Sequence, residues 1–154
     1  VMLRAGDGRF NELIKAVADL ASPTGQWPEA IHPRTRGGCM GDGQHVWAAA
    51  EWVLILRNAF VREVDGELIL ASGLLDDWLA AGEAMSLGPT PTSFGPITVH
   101  VRPDGSEHVE VSWQAAWRGP QPNIQVRVPG CRAVQAGPAS TRVRCSRNAP
   151  HVYA

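Results

Sequence analysis

The segment "ITVHVRPDGSEHVEVSW", Ile97 to Trp113, alternates apolar and polar residues on both sides of Asp104-Gly105. A period of two puts every second side chain on one face of an extended strand, and an Asp-Gly step between two such runs is a hairpin turn. Neighbouring runs extend the pattern: "ELILASG", "AMSLG", "NIQVRVPG" and "TRVRCS" are short, rich in β-forming residues and closed by turn residues. An antiparallel sheet or small sandwich is therefore expected over residues 84–146. The tail beyond Cys131 loses the alternation, and its end is expected to be irregular.

Upstream the period changes. "RFNELIKAVADLA" sets Phe10, Leu13, Ile14, Val17, Ala18 and Leu20 three and four apart, with Glu12, Lys15 and Asp19 opposite, as in an amphipathic helix. Pro23 and Gly25 stop it, and about 20 residues pass before Asp42. Loops of that length are uncommon in compact proteins and tend to be functional. Asp42 is placed to N-cap "GQHVWAAAEWVLILRNAF", which is apolar on nearly every face apart from Glu51. Such a helix is expected to be buried all round, with Trp47 and Trp52 in the core. Only one other long helix is in view, so its partner helices are expected upstream of Val1. The polar start "VMLRAGDGRFNELIKAV" lacks the features of a secretory leader, and the chain reads as a piece of something longer.

Composition narrows the function classes. Lys and Arg total 14 against 15 for Asp and Glu, so no excess positive charge is available to neutralise phosphates or seek anionic lipid. Nucleic acid is not an expected partner. The longest apolar stretch, Val46 to Leu56, is broken by Glu51 and falls short of the roughly 20 residues of a membrane-spanning helix. Cys39, Cys131 and Cys145 are widely spaced, odd in number and without metal-ligand spacing. No metal or cofactor is expected, and a reducing cytoplasm is the expected compartment.

The loop concentrates the chemistry. Within "GQWPEAIHPRTRGGCMGDGQH", Trp27 offers a flat apolar face to a pyranose, while Glu29, His32, Arg34, Asp42, Gln44 and His45 offer hydrogen-bonding groups. Glycines let the backbone approach, and the helix N-terminus near Asp42 favours ionised carboxylates. Glu29, held by Pro28 beside Trp27, is the candidate catalytic carboxylate, because glycosidic hydrolysis uses acidic groups on either side of the scissile bond.

The order of "WPEA", "RTRGG", "GDGQH" and the apolar "VWAAAEW" helix, followed by "LIL" and a β-rich tail, resembles the last helical hairpin and C-terminal β domain of six-hairpin glycosidases. These are (α/α)6-toroid enzymes, including glucoamylase-like and related glycoside hydrolases. The resemblance implies an α+β chain. Residues 1–62 would form the final hairpin and active-site loop, 63–83 a linker with a short helix over "LLDDWLAAG", and 84–154 an antiparallel β-sandwich-like domain. It implies Glu29 as catalytic base, a carbohydrate substrate, and a general acid on helical hairpins of a longer parent chain.

Each residue also has a plainer use. Glu29 can cap a backbone amide or pair with Arg34 or Arg36, Asp42 can be a simple N-cap, and His32 and His45 can bind backbone groups. Trp27 can anchor the loop instead of stacking on sugar. Glu51 is expected in an interhelical salt bridge, and Trp113 and Trp117 between the β and helical parts. Cys39 as a nucleophile has no supporting dyad. Two further functions stay open: a non-catalytic carbohydrate-binding or scaffolding module, and a phosphorolytic relative holding phosphate with Arg34 or Arg36.

Overall fold

The computed structural model describes residues 1–41, 43–105 and 107–147. Asp42, expected as a helix cap and sugar contact, lies outside the described residues, as does the end of the tail. The chain divides into two compact units, Val1–Leu56 and Arg57–Ala154.

In the first unit, α1 (Met2–Ala5) is a single turn that ends on Gly6 at φ 68°, a left-handed stop that glycine adopts without strain. Asp7 then starts α2 (Arg9–Asp19) by accepting the Arg9 N–H at 3.0 Å, and its carboxylate also meets the Arg9 guanidinium. The hydrogen bonds from Arg9 hold the Asp7 carboxyl down at about 2. The chain turns through 22–26, where Ser22 N–H donates to Gln26 O at 2.8 Å and Gln26 N–H to Ser22 Oγ at 3.1 Å. A small antiparallel hairpin follows, β1 (Ala30–Ile31) against β2 (Gly38–Met40). α3 (Val46–Phe60) then crosses from the first unit into the second.

α3 departs from expectation. Instead of burial on every face, Val46 is 81% exposed, Trp47 69% and Val53 63%. Within this chain Trp47 is exposed, and Glu51 is an exposed carboxylate that accepts the Trp47 indole N–H at 3.2 Å one helical turn away. Apolar composition measures the transfer cost of a surface but does not say that another element covers it.

The second unit is built from β-structure. β3 (Val61–Val64) and β4 (Glu67–Leu70) form a hairpin around Asp65-Gly66, both at positive φ (51° and 83°), the two-residue turn that matches strand twist. α4 (Asp76–Ala80) is a short helix over the expected segment. Then come β5 (Met85–Thr90), β6 (Ile97–Asp104), β7 (His108–Ala115), β8 (Ile124–Val126), β9 (Val134–Gln135) and β10 (Arg142–Ser146). One sheet has the order β3-β4-β8-β9 with β4 and β8 parallel; the other, all antiparallel, runs β10-β7-β6-β5. The Asp-Gly hairpin read from the sequence forms its centre, in register from Ile97↔Ala115 to Asp104↔His108.

Alternation decides what each face meets. Ile97, Val99, Val101, Val109 and Val111 are at most 1% exposed and share one core with Val61, Leu68, Leu70, Ile124 and Val126 of the other sheet. Each such side chain contributes about 1.5–3 kcal/mol by leaving water. The intervening residues Thr98, His100, Ser112 and Gln114 lie on the opposite face.

The expected toroid segment is overturned. Among the described residues only α2 and α3, of 11 and 15 residues, exceed five residues, against ten strands in three sheets. The stretch between α2 and α3 folds as a β-hairpin rather than closing a helical pair, and the β-structure of the second unit begins at Val61, inside the segment assigned to a helical hairpin. No described helix is long and apolar enough to cross a membrane.

Candidate ligand-binding groove

The loop residues separate along the first unit's hairpin. Glu29 is exposed at its open end, where its backbone N–H donates to Met40 O at 3.1 Å. His32 and Arg34 lie at the closed end. There His32 N–H donates to Gly37 O at 2.9 Å, and its ring Nδ1 accepts the N–H groups of Arg34 and Thr35, both at 3.3 Å. That ring organises a turn.

Trp27 is 8% exposed. Its indole N–H donates to Val17 O at 2.8 Å, and its ring lies 5.3 Å from Trp52 at an interplanar angle of 42°. Its carbonyl accepts the His45 N–H at 2.9 Å, tying the loop to the start of α3. Trp27 and His45 are thus brought together through backbone, and the geometry of Trp27 is that of an anchor. Gln44 is exposed and His45 half-buried, its ring 6.4 Å from Trp47. Among the described residues no group of three His, Cys, Asp or Glu side chains could hold a metal ion.

A cavity of about 460 Å³ lies instead in the second unit, at one end of the four-stranded antiparallel sheet. Register builds its polar wall: His100 of β6 faces Ser112 of β7, which faces Arg142 of β10. One residue further, Trp113 N–H donates to Thr141 O at 2.9 Å, the point where β10 begins and the rest of β7 loses that neighbour. Gln114 and Ala115 of β7 continue the wall.

The other side is a lip formed by the chain leaving β7. Ala116 N–H donates to Pro96 O at 3.0 Å and Arg118 N–H to Phe94 O at 2.9 Å, which fixes Trp117 between them at the groove. The lip sits close because residue 95 is glycine: at φ 129° a Cβ there would fall 2.2 Å from Ala116 O. Gln121 completes the lining, its amide within 3.4 Å of Gly137 O.

Trp113, 3% exposed, belongs both to the sandwich core and to the groove lining. Its Nε1 is buried and, among the described residues, has no hydrogen-bond partner. Native structures leave few such donors unmatched, and each calls for a water, an ion or a functional use. The Arg142 guanidinium is exposed and makes no ion pair among the described residues, whereas Arg144 on the same strand binds Asp104 at 2.6 Å. Among the described residues no carboxylate lines the groove.

Sequence reasoning assigned Trp113 and Trp117 to a packing role and missed the groove. The hairpin alternation already put His100, Ser112 and Gln114 on one polar face, but Arg142 joins them only through the β7–β10 pairing. Comparison of the chain with protein-family models, curated proteins and solved structures finds no match in any of the three. The resemblance to six-hairpin glycosidases therefore has no support from relatives, and the fold contradicts it.

Proposed function

We propose that this chain is a carbohydrate-binding module that holds a saccharide in the groove beside β7. The observation that carries this reading is the lining itself, in which the half-buried Trp117 stands with Gln114, Gln121, Ser112 and Thr141. Indole faces stack on the C–H face of a sugar ring, and amides and hydroxyls both donate to and accept from its hydroxyls. The volume, about 460 Å³, falls in the range of small-molecule sites, roughly 300–1,000 Å³.

Hydrolysis with Glu29 as base requires a second carboxyl group across the scissile bond. Glu29 stands at the small hairpin, and among the described residues the groove lining contains no acid. Binding without bond cleavage fits this arrangement better. The unpaired cysteines support a reducing, cytoplasmic setting.

Calorimetric titration of the full chain with short oligosaccharides tests the reading. Binding is expected to fall at least tenfold in Trp117→Ala, measured below that variant's own melting temperature because the half-buried ring also packs against the core. Unchanged affinity in that variant, or no saccharide bound at all, would overturn it.

A further inference from the structure

We infer that the saccharide recognised by this groove is acidic, carrying a carboxylate or sulfate that docks on Arg142; this rests on the carbohydrate-binding reading. The argument is one of charge accounting around the site. Arg142 is the guanidinium in the lining, and among the described residues no acidic side chain accompanies it there. Two arginines that follow it in sequence are paired, whereas Arg118, beside Trp117 at the lip, is like Arg142 without an ion pair among the described residues. Arg144, two residues along the same strand, is held by Asp104 at 2.6 Å, and Arg147 lies 3.9 Å from Asp76. Arg142 has no such partner among the described residues.

Position strengthens the point. Arg142 opens β10 and faces Ser112, which in turn faces His100, so hydroxyl, imidazole and guanidinium stand in one row across three strands. A guanidinium presents a planar fork that matches a carboxylate or sulfate edge with two parallel N–H donors. The amides of Gln114 and Gln121 and the hydroxyl of Thr141 remain for the sugar hydroxyls. A neutral sugar would leave the guanidinium beside it without a charge partner. An acidic ring uses both the stacking surface and the fork. The donors of the groove thus divide into one set suited to any saccharide and one suited to an anion.

The test titrates the full chain with three probes of similar length: a trigalacturonate for carboxylate, a sulfated galactan oligosaccharide without uronic acid for sulfate, and cellotriose as the neutral arm. At least one acidic probe is expected to bind about tenfold or more tighter than cellotriose, the scale of a charge-assisted hydrogen-bonded contact. Which of the two prevails identifies the acidic group. Arg142→Gln should abolish that preference, weakening the favoured acidic probe about tenfold or more and cellotriose by much less. Arg142→Lys, which keeps the charge and loses the fork, should retain part of it. Trp117→Ala should weaken all probes together. Equal binding of acidic and neutral probes, or a preference that survives Arg142→Gln, overturns the acidic ligand and leaves the carbohydrate-binding reading standing. Failure of every probe removes both.

Discussion

Cutting Trp27 to alanine should unfold the first unit's loop, whereas cutting Trp47 should scarcely be felt. Trp27 is 8% exposed and Trp47 69% exposed, so truncation opens a cavity at the first and removes solvent-facing surface at the second. A buried tryptophan reduced to alanine costs about 3–5 kcal/mol. The indole N–H of Trp27 also donates to Val17 O, in the last turn of α2, at 2.8 Å, and loss of that bond accounts for about 1 kcal/mol. Stability of roughly 0.05–0.15 kcal/mol per residue gives a unit spanning Val1–Leu56 only about 3–8 kcal/mol in total. Trp27→Ala therefore removes a large share of what holds that unit. Trp27→Phe, which keeps a ring against Trp52 and loses the donor, should cost about 1–2 kcal/mol. Trp47→Ala should stay within about 0.5 kcal/mol, its bond to Glu51 being an exposed one within a single helix. Thermal unfolding of the three variants, with amide exchange followed across α2 and the first turns of α3, measures the ranking. If Trp47→Ala melts as low as Trp27→Ala, the assignment of anchor and surface tryptophan is wrong.

Two further outcomes follow from charge and thiol chemistry. Burial pushes the Glu63 carboxyl up, but Ser93 and the Arg57 guanidinium, 2.9 Å away, outweigh it and hold the group below its ordinary range. A carboxyl depressed in the folded state adds stability above its unfolded value near 4.5 and loses it as pH falls through the folded one. Glu63→Gln should cost about 1 kcal/mol at pH 7, and should flatten the decline in melting temperature below about pH 4.5; an equal loss at pH 7 and pH 3 would contradict this. The Cys145 thiol donates a hydrogen bond to the Cys131 sulfur and draws that thiol down against its partial burial, with help from Arg147, while the same hydrogen bond and burial push Cys145 up. Peptide mapping during iodoacetamide treatment should find Cys131 alkylated about tenfold or more faster than Cys145, and the reverse order would refute the pairing.

Legibility in the sequence followed the range of the interactions. The hairpin of β6 and β7 was readable because alternation and an Asp-Gly turn are local signals, and α2 because its apolar stripe lies within 11 residues. β3 was not, because "VREV" continues directly from the apolar run of α3 and its Asp65-Gly66 turn went unread. The parallel pairing of Leu68 with Ile124 joins strands more than fifty residues apart, and no local pattern encodes it. The groove failed to show for the same reason: it needs Arg142 opposite Ser112 and a lip pinned to Phe94 and Pro96. The toroid resemblance rested on the order of short motifs around Glu29, Thr35 and Trp47–Ala50. Such an order is equally compatible with a β-hairpin between α2 and α3, and the exposure of Val46, Trp47 and Val53 shows how little apolar composition says about cover.

The groove assignment is tested most directly by the tryptophans themselves. The chain has six indole N–H groups, at positions 27, 47, 52, 78, 113 and 117, each a separate signal in a ¹⁵N-correlated proton spectrum. Titration with an oligosaccharide should move the Trp117 signal most and leave those of Trp27, Trp47 and Trp52 in place. Movement confined to Trp27, Trp47 or Trp52 would place the sugar in the first unit and contradict the account.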